Sequence, residues 1–321
     1  MKKTLIALAA VAATGAAFAQ SSVTLYGVAD AAIVKTNKAG LGYTNDKLQL
    51  SANGWMNNGN SRLGVRGVED LGGGLKADFL LEHRFNVDTG TMAGFSRASW
   101  VGLSGGFGEF QWGYNTTPFD DISGLAFPSF DSVLAAEYYV FRSVGYTARR
   151  SNTFKYLSPS FGGFSGSASY SLDESNSVKA DTAAIALQYA GGPLYVGLAL
   201  QDDGAIGPDP KYTRLGASYD FGAFKLLANY GHTKLFGTPK TNDFSIGADF
   251  PLSSALTLSG GYAMSKDKGA GERDGFSLSA LYAVSKRTAL YGGVMTAQEK
   301  NSAGTKIDED RVFAVGVRHS F

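Results

Sequence analysis

The 321-residue chain contains no cysteine, so its stability must come from burial and backbone hydrogen bonds rather than from disulfide bonds. Proline is scarce, at 8 residues, and the 29 basic side chains nearly balance the 28 acidic ones. A chain with so little net charge has no general electrostatic attraction for nucleic acid. The sequence therefore excludes the small disulfide-rich folds and gives no support to nucleic-acid binding.

Beyond its first residues, the sequence lacks any run of the roughly 20 consecutive apolar residues that a membrane-spanning helix requires. The N terminus itself carries two lysines, then an apolar run over 5–13, then the small-x-small sequence at 17–19. This order is typical of a secretory signal peptide. We predict a signal peptide over 1–19 and an exported mature chain over 20–321.

Glycine and aromatic residues are abundant, with 42 glycines, 16 tyrosines and 21 phenylalanines. The mature chain is too aromatic to be disordered and too rich in glycine for an ordinary helical protein. Apolar side chains alternate with small or charged ones along most of it, for example over 214–221, 244–250 and 256–265. This period of two predicts β-strands with one apolar face and one polar face.

Short and long connections alternate between these strands. The short ones, which are glycine-rich or turn-forming, lie at 71–74, 105–108, 160–163, 191–193, 221–223, 251–255 and 285–287. The longer polar ones lie at 35–60, 87–95, 115–148, 174–180, 202–210, 235–242, 266–273 and 299–309. Seven short turns and eight long loops join 16 strands, with all turns at one rim and all loops at the other, as in an outer-membrane barrel.

Strands can cross hydrocarbon only in a sheet without edges, because unpaired backbone N–H and C=O groups are very costly there. A ring of 16 strands is too wide for side chains to fill, so its interior holds water. We therefore predict an all-β fold, namely a 16-stranded antiparallel transmembrane β-barrel with short periplasmic turns and long extracellular loops. Such a barrel is a channel by its geometry.

The connection over 116–146 is far more apolar than the other loops. Its apolar side chains include Phe119, Ile122, Leu125, Phe127, Phe130, Val133, Leu134, Tyr138, Tyr139, Val140 and Phe141. Long connections of this kind are usually functional, and so apolar a segment would not remain solvated. We expect it to pack against the inner wall of the barrel as a constriction loop.

Alternation also indicates which charged side chains face the lumen. On the strand that carries Trp100, the indole is expected to face lipid. Strict alternation also puts Arg149 inside the barrel, and Arg150 remains an alternative because it borders the long loop. The other charged side chains directed into the lumen are Arg62, Arg66, Glu82, Arg84, Arg97 and Lys155.

Five segments resemble general porins of Gram-negative betaproteobacteria, in the same order and across essentially the whole mature chain. They are SVTLYG at 22–27, SRLGVRGVEDLGGGLKA at 61–77, ASWVGLSG at 98–105, FKYLSP at 154–159 and GVRHSF at 316–321. The resemblance implies a homotrimer in the outer membrane, with a third loop folded into the lumen and often a preference for anions. It also implies contact with outer-membrane lipid and lipopolysaccharide.

The resemblance maps Arg62, Arg97 and one of Arg149 or Arg150 onto the basic cluster at the constriction. Opposite this cluster we expect acidic residues of the inserted loop, which would set up a transverse field: Asp120, Asp121, Asp131 and Glu137. In one respect the chain departs from the family, because residues 113–115 read Gly-Tyr-Asn where Gly-Arg-Gln is common. One expected lumen cation is therefore absent.

The terminal Phe321 resembles the C-terminal aromatic residue that the barrel-assembly machinery recognises. The alternative is that Phe321 is one more aromatic residue of the interfacial girdle that flanks the short turns. The two roles are compatible, and we favour the assembly signal.

Catalysis is the competing function for a membrane barrel, for instance as a phospholipase. Of the three histidines, His83 and His319 fall on the lipid side and His232 falls at a strand end, and none has a nucleophile motif beside it. The acidic loops at 202–203 and 308–310 are better explained as solvated charge than as Ca²⁺ sites. We expect neither catalysis nor a cofactor.

The predicted function is that of a general diffusion porin for small hydrophilic solutes, with selectivity for anions. The alternative within the same class is a channel specific for one anion, such as phosphate or a small organic acid. Nothing in the loop sequences identifies a particular ligand.

Overall fold

The computed structural model describes residues 21–37, 46–51, 60–174, 181–204, 210–235 and 240–321. The signal peptide predicted over 1–19 lies outside these residues. The strands are β1 (Ser22–Thr36), β2 (Leu48–Ser51), β3 (Arg62–Gly72), β4 (Leu75–Arg84), β5 (Ala98–Gly105), β6 (Gly108–Thr116), β7 (Arg149–Leu157), β8 (Phe164–Ser171), β9 (Thr182–Gly191), β10 (Leu194–Asp203), β11 (Lys211–Asp220), β12 (Lys225–Lys234), β13 (Thr241–Pro251), β14 (Leu256–Asp267), β15 (Gly271–Ala283), β16 (Thr288–Asn301) and β17 (Lys306–Ser320).

The strands form one closed antiparallel barrel. Each strand from β3 to β17 pairs with the next, and β1 closes the ring by pairing with β17 through residues 28–36. On its other edge β1 pairs with β3 near its start and with the short β2 near its end, so β2 and β3 share one position in the ring. The ring therefore has 16 positions, which confirms the predicted fold class and leaves no free sheet edge in hydrocarbon.

The two faces of the barrel follow the alternation in the sequence. On β11, Leu215 and Tyr219 are exposed on the outer face, whereas Arg214 and Ser218 are buried on the inner face. The same pattern holds on β13, where Phe244 and Ile246 point outward. Apolar side chains thus meet lipid, and polar or small ones line the interior.

The order of the predicted connections is confirmed, with a correction to two lengths, and most of the residues predicted as loops at 35–60, 174–180, 202–210 and 235–242 lie outside the described residues. All seven short turns lie where the sequence placed them. The connections predicted at 266–273 and 299–309 are tight instead, because β14 and β15 continue to residues 267 and 271, and β16 and β17 to residues 301 and 306. Their polar residues belong to strands that extend beyond the apolar band, which polarity alone does not reveal.

The connection between β6 and β7, residues 117–148, is here called loop 3, and it folds into the barrel as predicted. It contains two short helices, α1 (Pro118–Ser123) and α2 (Glu137–Val140). Helix α1 begins where the Thr117 hydroxyl accepts a hydrogen bond from the Asp120 amide (3.2 Å), followed by proline at the first helical position. In the described residues no helix is long and apolar enough to cross a bilayer.

The C-terminal residue completes the ring. The backbone N–H groups of Gly27 and Phe321 each donate to the carbonyl of the other, both at 3.0 Å. The Phe321 ring lies over Gly27 so closely that a Cβ atom at position 27 would stand 2.3 Å from the ring and 2.9 Å from the Arg62 carbonyl oxygen. Only glycine fits at this point of closure.

The substitution Gly27→Ala should therefore weaken the closed barrel. We expect it to lower the temperature at which the folded band disappears from unheated detergent gels, since the new methyl group forces the Phe321 ring or the backbone to move. Gly106→Ala is the matched control, because a Cβ atom at Gly106 meets nothing within 4 Å. Equal thermal stability of the two variants would refute this account of closure.

Candidate functional site

Loop 3 occupies one side of the lumen. Phe119 and Ile122 of α1 pack on Ala186, Ala199 and Tyr212 of strands β9 to β11. The segment over 127–141 packs on the inner faces of β1, β14, β16 and β17. The open passage is therefore bounded by loop 3 on one side and mainly by strands β3 to β7 on the other.

Six arginines from five parts of the barrel line the passage opposite loop 3, and we call them the arginine wall. Arg97 lies in electrostatic range of Arg62, Arg84, Arg149 and Arg318. Arg66 lies on the same face of β3 as Arg62 and covers the Tyr26 ring at 5.5 Å. The members of the arginine wall are Arg62, Arg66, Arg84, Arg97, Arg149 and Arg318.

Glu82 is the carboxylate at the centre of the arginine wall. It lies 2.6 Å from Nε of Arg97 and 3.3 Å from Nε of Arg62, and it accepts a hydrogen bond from the Tyr26 hydroxyl at 2.7 Å. The Arg97 side chain is only 9% exposed. Glu82 therefore holds two like-charged guanidinium groups close together and partly neutralises them.

Arg149 and Arg150 point in different directions. Arg149 donates from Nε to the Arg97 carbonyl at 3.1 Å, whereas Arg150 donates to the Thr182 hydroxyl at 2.8 Å and to the Gly204 carbonyl at 3.2 Å. A bulge at Asn152, where φ is 54°, shifts the pairing of β7 with β6, so the contacts rather than parity distinguish the two arginines. Arg149 thus joins the arginine wall, and Arg150 ties β7 to the β9–β10 end.

The two acidic residues of α1 pair directly with cations. Asp121 lies 2.6 Å from Nζ of the buried Lys155, and Asp120 lies 3.8 Å from Arg149. Burial raises the pKa of Asp120, and the Arg149 guanidinium opposes that shift. These contacts join the start of loop 3 to the edge of the arginine wall.

The other two loop acids do not face the arginine wall, which corrects the expected arrangement. Asp131 accepts a hydrogen bond from Tyr138 within loop 3 itself (2.5 Å). Glu137 is fully buried between α2 and the barrel wall, near Ser245 and Arg214. A left-handed turn over 129–131 redirects the chain here, and the sequence gives no signal for it.

Trp100 faces the lumen, so its expected orientation toward lipid is wrong. It pairs with Leu80, which lies on the inner face of β4, and it lines a recess beneath loop 3, while its neighbour Val101 is 57% exposed on the outer face. Arg97 lies just before β5, which begins at Ala98, so alternation along the strand does not relate Arg97 to Trp100. Arg97 precedes β5 and extends into the lumen, so the side chains of Arg97 and Trp100 both face the lumen.

Arg318 is a lumen cation that the sequence analysis did not select. It pairs with Asp30 across β1 and β17, with 3.8 Å between the guanidinium and the carboxylate, and Asp30 also accepts a hydrogen bond from Tyr291 at 2.5 Å. The alternation of exposed Val315 and Val317 on β17 would have placed Arg318 inside. Tyr114 stands at the position of the missing family arginine, and its neighbour Asn115 is buried and bonded to Gln111.

The three histidines lie apart from one another. His83 contacts the Phe95 ring (5.5 Å between ring centres), His319 bonds to Thr288 and His232 bonds to Asn242. No group of three or more metal-ligating side chains occurs within the described segments. Among the described residues, the passage is lined by six guanidinium groups, and the carboxylates of Asp30, Glu82 and Asp120 pair with members of this group.

A closed transmembrane barrel with a charged passage and an inserted loop defines the class of channel-forming outer-membrane proteins. The profile of the Gram-negative porin family matches residues 4–302. Outer membrane porin protein 32 of Delftia acidovorans is 37% identical over 286 residues, which cover 82% of this chain and 80% of the relative. The chain belongs to the Gram-negative porin family and is an outer-membrane channel rather than an enzyme.

Solved structures agree with the fold. The anion-selective porin from Comamonas acidovorans superposes with a TM-score of 0.81 at 30% identity, covering 94% of this chain and all of that one. A trimer form of OmpT from Vibrio cholerae superposes with a TM-score of 0.70, covering 94% of this chain and 99% of that one. At 16% identity, the second similarity concerns the fold alone.

The buried Glu137 predicts a pH dependence of stability. Burial raises its pKa to about 7, although the Ser245 hydroxyl favours the charged form. A raised pKa means that the stability contributed by the neutral carboxyl is complete below the unfolded value near 4.5 and is lost as the pH rises through about 7. The loss amounts to about 3 kcal/mol at most.

We therefore expect the melting temperature of the barrel in detergent to fall between pH 5 and pH 8, and Glu137→Gln to reduce that fall. Glu309→Gln is the control, because the partly exposed Glu309 pairs with Lys306 at 3.0 Å and with Arg311 at 2.7 Å and is expected to stay ionised over this range. If Glu137→Gln keeps the full pH dependence of the parent protein, another group is responsible.

Proposed function

We propose that this porin is a general diffusion pore for small hydrophilic solutes whose lumen prefers anions. The observation that carries the proposal is the arginine wall, where six guanidinium groups line one side of the passage and, among the described residues, the carboxylates of Asp30, Glu82 and Asp120 lie beside them. The passage on this side of loop 3 is therefore positive even though the whole chain is nearly neutral. The similarity to a porin described as anion-selective supports the same conclusion.

Within the arginine wall, we assign the constriction to Arg62, Arg84, Arg97 and Arg149, which lie in electrostatic range of one another, with Arg66 and Arg318 extending the positive surface. Asp120, Asp121 and Lys155 connect loop 3 to this surface. Arg150, Asp131 and Glu137 then have structural roles and do not select ions.

The energies required are small. Two unit charges about 4 Å apart interact by about 4 kcal/mol at an effective dielectric constant near 20 and by about 1 kcal/mol in bulk water. A tenfold preference requires about 1.4 kcal/mol. A few guanidinium groups in a confined passage are therefore sufficient, and the preference should weaken as salt shortens the Debye length.

Two substitutions with opposite signs test this assignment. Arg97→Glu changes the charge by two units and should lower or reverse the anion preference, whereas Glu82→Gln removes the central carboxylate and should raise it. The measurement is the reversal potential of single channels across a KCl gradient at low and high salt. Lys211→Glu is the control, because Lys211 lies on the outer rim and pairs with Asp202.

The proposal fails if the parent channel prefers cations at low salt. It also fails if Arg97→Glu and Lys211→Glu shift the reversal potential equally, since the effect would then come from total charge rather than from the passage.

We also propose that three copies of the chain associate. The outer faces carry many exposed apolar side chains, including Val23 and Leu25 near the start of β1, and neighbours can bury part of this surface. One outer-membrane protein of the same fold has been solved in a trimer form. Outer-membrane lipid and lipopolysaccharide would cover the remaining surface, and Phe321 would serve the barrel-assembly machinery as the assembly signal.

Gel electrophoresis tests the trimer. Without heating, we expect a band at about three times the mass of the heated chain, because buried apolar contacts between barrels resist detergent. Cross-linking of the purified protein in mild detergent should give the same stoichiometry. A single band at the monomer mass under both conditions would contradict the trimer and leave the barrel unaffected.

A further inference from the structure

Loop 3 is attached to the barrel wall by side chains rather than by a backbone ladder. Every hydrogen bond between two backbone groups that the structure describes for residues 118–146 stays within loop 3. The wall contributes side-chain contacts instead, such as Asn229 to the Ala126 carbonyl (2.7 Å) and Tyr212 to the Gly145 carbonyl (3.0 Å). The position of loop 3, and with it the width of the passage, depends on these contacts.

Arg214 of β11 differs from the other attachments because it touches three separate parts of loop 3. Its guanidinium carbon lies 5.9 Å from the ring centre of Phe119, 5.1 Å from that of Phe127 and 5.2 Å from that of Phe141. The side chain is 0% exposed, and Nε has no hydrogen-bond partner in the described residues. The faces of three aromatic rings thus provide much of its environment.

Hydrogen bonds extend the same contact. Arg214 donates to the Ser143 hydroxyl at 2.7 Å and to the Ser123 carbonyl at 3.4 Å. The Ser143 amide in turn donates to the Asp243 carboxylate at 2.9 Å, and Asp243 lies in electrostatic range of Arg214. One cation therefore joins the end of α1, the middle of loop 3 and its returning segment to the wall.

A fully buried charge contributes little to stability, because its desolvation offsets its favourable contacts, and an apolar replacement of similar volume is often tolerated. Such a buried charge instead fixes the relative position of the groups that it bonds to. We propose that Arg214 is the positioning residue that fixes loop 3 against the wall and thereby sets the conductance of the open channel. This inference rests on the proposed pore function.

The first test is Arg214→Met, which fills similar space without the charge or the hydrogen bonds. We expect a heat-modifiable barrel to assemble, with single-channel conductance raised roughly 1.5-fold or more and frequent transitions between conductance levels as loop 3 moves among several positions. Arg66→Met is the matched control, since it removes a lumen cation that does not touch loop 3. It should change ion preference without adding conductance levels.

A reversible disulfide provides the rescue. A Cβ atom at Gly216, two residues along β11, would lie 3.4 Å from the Ala126 Cβ, close to the separation that disulfides require. The chain has no other cysteine, so Gly216→Cys with Ala126→Cys introduces a single bond between wall and loop. In the Arg214→Met background, oxidation should restore the conductance and the steady current of the parent. Reduction should bring back the raised conductance and the transitions between levels.

The outcomes separate the two proposals. If the parent protein forms no channels, the proposed function fails. If the parent conducts and assembled Arg214→Met shows the same conductance and steadiness, or if oxidation of the cysteine pair makes no difference, the role of Arg214 is refuted. Should Arg214→Met not assemble, Phe127→Leu weakens the contact from the loop side, and an unchanged current in that variant would overturn the inference as well.

Discussion

The structure depends on one constraint, namely that every backbone hydrogen-bonding group in hydrocarbon must find a partner within the protein. Closure of β1 on β17 meets this constraint and produces a ring that side chains cannot fill. The empty interior is then narrowed by a segment that takes no part in the ladder. The wall is therefore uniform and cooperative, whereas loop 3 depends on individual side chains, so folding and channel width are separable properties of the molecule.

Much of the fold could be predicted because a β-barrel repeats one local rule. A period of two, applied strand by strand, gave the faces of β11 and β13, the sides of the turns and loops, and the inward direction of Arg62 and Glu82. The apolar composition of loop 3 was equally informative, since so many aromatic and aliphatic side chains require a surface to cover. These features are determined by which side chains are buried, and the spacing of apolar residues in the sequence indicates that directly.

The orientation of the other side chains of the site could not be predicted, because they lie where the alternation of a regular strand is interrupted. Trp100 was misassigned because Arg97 lies outside the strand, so alternation does not link the two side chains. Alternation put Arg149 inside, where it lies, but the bulge at Asn152 shifts the pairing there, so only the contacts exclude Arg150. The orientation of Glu137 depends on the left-handed turn over 129–131, which no sequence pattern indicates. Bulges and irregular turns are set by tertiary contacts, and charged residues near them require coordinates.

The position of Glu82 has a kinetic consequence for a solute that crosses the arginine wall. A cluster of bare guanidinium groups would bind an anion tightly and release it slowly, which would slow passage through a channel. Glu82 already accepts a hydrogen bond from Nε of Arg97 and lies 3.3 Å from Nε of Arg62, so a passing anion meets guanidinium groups that are partly neutralised. Under the proposed preference for anions, the resident carboxylate would shorten the dwell time of a passing anion while the remaining guanidinium groups still attract it.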